Sequence, residues 1–185
     1  KDIDELRKRI ETLIREAKKL VDDVRKRSED LIERLKKLSE DNARDIERLL
    51  REAEDLARKI KDKEELERRL RKVLKEVEDS VRRSRKELED VVREDEELNR
   101  RVKRALEEVL KTVEKLVREL EKKIDKREVK ERVRRLLEKA ADVVRRLIEE
   151  SNRVSDDSRR VVKELLDRNK ELLDRARKRV EEIRK

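Results

Sequence analysis

A carboxylate set beside serine hydroxyls is the one arrangement in this sequence with the elements of chemistry. Asp95, with Ser28 and Ser155, could serve as base to a nucleophile or as a hard-oxygen ligand to a cation. Asn42, Ser80, Ser84 and Asn169 form a second group, of amides and hydroxyls that each donate and accept. Neither group is complete for catalysis. A serine nucleophile needs a strong base and an oxyanion hole, but the chain has no histidine and the backbone amides of a helix are already bonded. A hard-cation site needs several converging carboxylates, and Asp95 is the only one expected on the apolar stripe at its height. No catalytic, metal-binding or cofactor-binding residue is expected. What remains is an interhelical hydrogen-bond network that fixes register.

The elements that must position these residues are read from the apolar spacing. From Ile3 the stripe passes Leu6, Ile10, Leu13, Ala17, Leu20, Val24, Ser28, Leu31, Leu35, Leu38, Asn42, Ile46, Leu49, Ala53, Leu56 and Ile60. Steps of three and four define one helix face. From Ile10 to Ser28, and again from Ser28 to Ile46, the steps are 3, 4, 3, 4, 4, an 18-residue repeat over five turns. That is about 3.6 residues per turn, the period of a straight helix, whereas a strict heptad imposes a left-handed supercoil.

Three Asp-x-x-Glu boxes mark the helix starts: Asp2 with Glu5, Asp62 with Glu65, and Asp125 with Glu128. An N-cap aspartate accepts from the N3 amide while the glutamate at N3 reaches back to the cap. Beside Asp62 and Asp125 the stripe also loses phase. The chain is therefore expected to form a single domain over residues 1–185, with helices at about 3–60, 63–123 and 126–184. Each would be about 90 Å long at 1.5 Å per residue.

Adding 127 to the stripe of the first helix reproduces that of the third. Leu6 maps to Val133, Ile10 to Leu137, Ala17 to Val144, Ser28 to Ser155, Asn42 to Asn169 and Leu56 to Ile183. Two helices with the same layer order should run parallel and in register, and short connections then make the middle helix antiparallel to both. Folded this way, position i faces about 124 − i in the second helix. Asn42 falls level with Ser80, Ser84 and Asn169. Ser28 falls level with Asp95 and Asn99, and with Ser155 flanked by Ser151, Asn152 and Ser158. Polar residues from three stripes thus converge at two heights, a coincidence that neither a disordered chain nor a lone helix accounts for. A buried Asn or Ser costs stability unless paired, so such layers penalise wrong registers. The first helix widens its apolar face one residue after the stripe, at Ile14, Val21, Ile32, Leu50 and Ala57. The third widens it one residue before, at Leu136, Val143, Val154, Val161 and Leu172.

Composition narrows the function classes further. Of 185 residues 60% are charged, and Gly, Pro, Cys, Met, His, Gln, Phe, Tyr and Trp are all absent. Without Cys or His there is no zinc finger, haem ligand, iron–sulfur site or disulfide. Without Gly there is no phosphate-cradling loop and no dinucleotide fingerprint. A net charge of +9 and a pI near 9.7 would suit nucleic acid if the bases were segregated. Instead Arg100, Arg101, Lys103 and Arg104 follow closely on Glu94, Asp95, Glu96 and Glu97, and no aromatic is present to stack on a base. No nucleic-acid partner is expected. Apolar runs never exceed two residues, which leaves no membrane span, and the mixed charge of the polar faces argues against a membrane-surface helix. Surface pairs such as Glu67 with Arg71 and Glu108 with Lys111 are ordinary helix support. The chain opens on Lys1 rather than methionine, as expected of a processed or trimmed N-terminus.

With its reduced alphabet, 18-residue spacing, Asp-capped short turns and layers at Ser28/Asp95/Ser155 and Asn42/Ser84/Asn169, the sequence resembles the family of parametrically designed helical bundles, specifically long three-helix bundles with buried hydrogen-bond layers. The resemblance covers the whole chain. It departs in having no Gly or Pro in the turns, where such designs commonly place them. Natural spectrin repeats are similar in outline, but their buried Trp has no counterpart here. The resemblance implies an all-α, nearly straight up-down-up three-helix bundle, highly stable and monomeric, with no natural biochemical activity, no cofactor and no required partner. Its alternative is a component of a designed assembly, self-associating or accepting a further helix as a binding or switch scaffold.

Overall fold

In the computed structural model, which describes residues 2–185, the chain is all-α, with helices α1 (Asp2–Lys59), α2 (Lys63–Glu121) and α3 (Arg127–Arg184). No Gly or Pro interrupts them, and Leu, Arg, Lys and Glu dominate, all with good helix propensity. Acidic residues open each helix and basic ones close it, Asp2, Asp4 and Glu5 against Arg58 and Lys59 in α1, which complements the backbone dipole. The starts and ends expected from spacing hold to within two residues.

The turns work without glycine because no described residue adopts a positive φ. At the end of α1 the Ile60 amide still bonds the Leu56 carbonyl at 2.9 Å, and Asp62 O then accepts from Leu66 at 3.0 Å. Helix α2 ends differently. Lys123 bonds back to Leu120 at 3.0 Å and Ile124 to Glu121 at 3.2 Å, so the last turn tightens to 3₁₀ geometry and satisfies carbonyls that would otherwise be orphaned.

Contacts group the chain into two compact units. Unit 1 takes α1 up to Glu29 with Glu94–Asp157, and unit 2 takes Asp30–Arg93 with Ser158–Lys185. Each helix contributes to both. In unit 1, Leu6 and Ile10 pack with Val113, Val117, Val133 and Ala140. The next cluster joins Ala17, Val21 and Val24 to Val102, Leu106, Val144 and Leu147. Numbers rise together along α1 and α3 and fall along α2, so α1 and α3 are parallel and α2 is antiparallel to both. Unit 2 repeats the pattern. Leu35 packs with Leu88, Val162 and Leu165, and Ile46, Leu49 and Ala53 pack with Leu70, Val73, Val77, Ala176 and Val180. Each Leu, Ile or Val removed from water contributes about 1.5–3 kcal/mol before entropy is counted. Fully buried Ala17, Ala53 and Ala176 let the helices approach closely within their units.

The stripe on α1 is shifted in places. Leu20 is 37% exposed whereas Val21 is 1% exposed, so the core takes the residue expected on its flank. At Leu13–Ile14, Leu31–Ile32 and Leu56–Ala57 the two neighbours are both half-buried. The buried face of α1 is centred between the main stripe and its flank, and where both offer an apolar side chain either one can be the more buried. No helix among the described residues is long and apolar enough to cross a membrane.

The buried polar layers as the candidate functional site

Unit 2 carries the layer built on the two asparagines. Asn42 on α1 and Asn169 on α3 stand on the core faces of their helices, and Ser84 on α2 is buried with them, with Ser80 half-buried one turn away. The hydrogen bonds run in one direction. Ser80 Oγ donates to Asn42 Oδ1 at 2.6 Å, Asn42 Nδ2 to Asn169 Oδ1 at 3.5 Å, and Asn169 Nδ2 to Ser84 Oγ at 3.0 Å. The path leaves α2, crosses α1 and α3, and returns to α2 one turn further on. Each amide uses its oxygen and its nitrogen, so neither leaves a strong polar group stranded at this height. The amide-to-amide bond is the longest of the three and the weakest.

The layer in unit 1 has a carboxylate at its centre. Asp95 on α2, 5% exposed, accepts Ser28 Oγ on Oδ1 at 2.9 Å and Asn99 Nδ2 on Oδ2 at 3.4 Å. Hydrogen bonds of this kind, to a charged acceptor, offset part of the cost of taking a carboxylate out of water. Beside the layer, Arg25 of α1 and Glu150 of α3 form an ion pair. Cross-helix pairs in unit 2 include Arg179 with Glu54 at 2.6 Å, Arg177 with Glu78 at 3.3 Å and Arg184 with Glu67 at 3.1 Å.

On α3 the unit 1 layer differs from expectation. Asn152 is exposed and Ser155 only half-buried, while Ser151 is 2% exposed. Level along the axis follows from residue count, but facing follows from rotation, and one residue is about 100°. From Leu147 a step of four reaches Ser151 on the core face and leaves Asn152 turned outward. Ser39 and Ser158 are also buried, one in the α1 core face and one in that of α3. Spacing names Ser158 only as a flank of Ser155 and does not single out Ser39. A compositional signal was available: none of the seven serines is exposed, whereas both threonines, Thr12 and Thr112, are. The threonine hydroxyls donate to the carbonyls four residues back.

The caps divide in the same way. Asp62 is the N-cap of α2, its carbonyl accepting from Leu66 and its Oδ1 accepting the Glu64 amide at 3.1 Å, which is N2 rather than the expected N3. Asp125 is not at the cap. The first carbonyl of α3 to accept is that of Lys126, from Lys130 at 3.1 Å, because the tightened end of α2 delays the next helix by one residue. Asp2 lies within the first turn of α1, where its carboxylate acts on the helix dipole instead of serving as cap.

Chemically, the unit 1 layer is a hydrogen-bonded carboxylate with its serine buried beside it. No group of three or more Asp, Glu, His or Cys suited to a metal ion occurs among the described residues. Parallel outer helices, an antiparallel middle one and two layers of buried polar side chains define the class as a three-helix bundle. A search of solved structures finds a matching chain described as a computationally designed three-helix bundle, 20% identical, with a TM-score of 0.67, covering 98% of this chain and 86% of that one. No protein-family model matches the sequence, and no curated protein matches it either.

Proposed function

We propose that the protein is a designed structural scaffold, monomeric and without enzymatic activity, in which two buried polar layers set the register of the helices. The observation that carries this reading is the hydrogen-bond path from Ser80 through Asn42 and Asn169 to Ser84. A slipped helix would separate these groups and leave amides buried without partners, at about 1–3 kcal/mol for each. Apolar layers carry no such penalty and tolerate neighbouring registers. The matching designed bundle supports the scaffold reading at the level of fold.

The test compares the parent with a variant in which Asn42, Asn169, Asp95 and Asn99 become Leu and Ser28, Ser80 and Ser84 become Ala. Light scattering after size exclusion should give the parent as one species near 22.6 kDa, and the apolar variant as a mixture of masses or conformers. A variant that stays one well-ordered monomer overturns the register role, since apolar replacements of buried polar groups do sometimes keep a unique fold. A parent that runs at a multiple of that mass overturns the monomer and favours a component of an assembly.

A second reading, a frame that accepts a further helix, has a specific surface behind it. In unit 2 a groove between α2 and α3 has Val92, Val162 and Leu166 as its floor and Glu89, Arg93, Arg159 and Lys163 as its rim. Arg93 and Lys163 on the rim suit a helix with an apolar seam and acidic flanks. Titration with such a synthetic helix, followed by chemical shifts at Val92 and Val162, tests it; unmoved shifts count against it.

A further inference from the structure

Asn99 is 9% exposed. Its Nδ2 donates to Asp95 Oδ2 at 3.4 Å, yet among the described residues no donor lies within hydrogen-bonding range of its buried Oδ1. The amide cannot relieve this by turning over, because Oδ1 would then face the carboxylate oxygen and bring two acceptors together. The carboxylate therefore fixes Asn99 with an acceptor held in the interior of unit 1. We infer that Asn99 Oδ1 binds a buried water molecule as part of the unit 1 layer.

Three observations specify the occupant. First, the site needs a donor. The NH2 group that separates Oδ1 from the carboxylate carries partial positive charge, which disfavours a cation shared between Asn99 and Asp95. Second, a buried water is held by two to four polar partners, and the surroundings supply candidates. Within unit 1, Asp95 bonds Ser28, so Asn99, one turn on in the antiparallel helix, stands near the level of Arg25. Arg25 pairs with Glu150, and Ser151 is the next residue and 2% exposed. Its hydroxyl can accept or donate. Third, serine at 151 takes the core-face place that Leu147 and Val144 fill in the preceding turns. A side chain that much smaller leaves volume beside a polar atom, which is the setting in which internal waters occur, at about one per 27 residues.

The full-length protein tests this in two ways. A high-resolution crystal structure should show density at about 2.7–3.2 Å from Asn99 Oδ1, and oxygen-17 relaxation dispersion should detect a long-lived internal water in the parent. Asn99→Leu should lose that contribution. Should Asn99→Leu fail to fold, Ser151→Ala keeps Asn99 and should weaken the same signal by removing a second partner. Density showing Oδ1 bonded directly to a protein donor, with no water, overturns the inference. So does a relaxation signal equal in parent and in the folded variant.

Discussion

Asn42 and Asn169, 127 residues apart in the chain, meet amide to amide at the centre of unit 2, the nitrogen of one donating to the oxygen of the other at 3.5 Å. Their remaining groups are taken up by two serines of the antiparallel helix, so each amide depends on a partner from each of the other helices. Changing Asn42 alone to Leu strands the Ser80 hydroxyl and Asn169 Oδ1. That variant should lose about 1–3 kcal/mol, the cost of a buried group left unsatisfied. Changing both asparagines to Leu removes the stranded amide and adds apolar volume, so the double variant should be at least as stable as Asn42→Leu and melt as high as the parent or higher. Urea denaturation of the four members of this cycle measures the coupling; a double variant as damaged as the sum of the singles would mean the amides do not depend on one another.

Ser28 and Asp95 couple more strongly, because the acceptor is a carboxylate. Ser28→Ala is nearly isosteric and removes a hydroxyl donor from a group that is 5% exposed. Its cost should be about 1.5–3 kcal/mol, the range for hydrogen bonds to charged groups. In an Asp95→Leu background the same change should cost less than half as much, since the carboxylate that needed the donor is gone. Equal costs in both backgrounds, by chemical denaturation, would place the role of Ser28 elsewhere.

The core itself gives a contrast within one helix. Leu35 is 1% exposed and Leu20 is 37% exposed, although both fall on the same sequence stripe. Leu35→Ala should cost about 2–5 kcal/mol. Leu20→Ala should stay within about 0.5 kcal/mol, as surface changes do, while Val21→Ala, one residue on, should cost clearly more. Reversal of the last two would recentre the buried face of α1 on Leu20.

These contrasts also mark how far the sequence could be read. Heights along the helices follow from counting residues, and counting was enough to bring Asn42, Ser80, Ser84 and Asn169 to one level and Ser28, Asp95 and Asn99 to another. A helix with no Gly or Pro over nearly sixty residues keeps a constant rise, so errors do not accumulate. Rotation is harder. Where two apolar neighbours compete, as at Leu20 and Val21, or two polar ones, as at Ser151 and Asn152, the choice turns on about 100° and is made by packing against the other two helices. The serines carried more information than their spacing disclosed: in a chain that is 60% charged, a small uncharged side chain is placed where a charge cannot go. Turn chemistry was the least legible, because the 3₁₀ closure at Lys123 and Ile124 depends on how α2 is brought to its end and has no residue signature of its own.

The two interhelical turns make the last prediction, since Asp62 and Asp125 have the same local sequence logic and different structures. Asp62 accepts the Glu64 amide at 3.1 Å and stands at the position whose carbonyl takes the first helical bond of α2. Asp62→Ala should therefore cost about 0.5–2 kcal/mol, the value of an N-cap, and should speed hydrogen exchange at the amides of the first turn of α2. Asp125 lies one residue before the Lys126 cap of α3, so only its charge acts on that helix. Asp125→Ala should cost about 0.3–1 kcal/mol or less, and that cost should fall as salt is added. The Asp62 effect should largely persist in salt, because a direct hydrogen bond to the backbone is screened far less than a charge acting at a distance. Equal costs with equal salt dependence would mean that both aspartates act only through the helix dipole, and that the Asp62–Glu64 bond contributes little in solution.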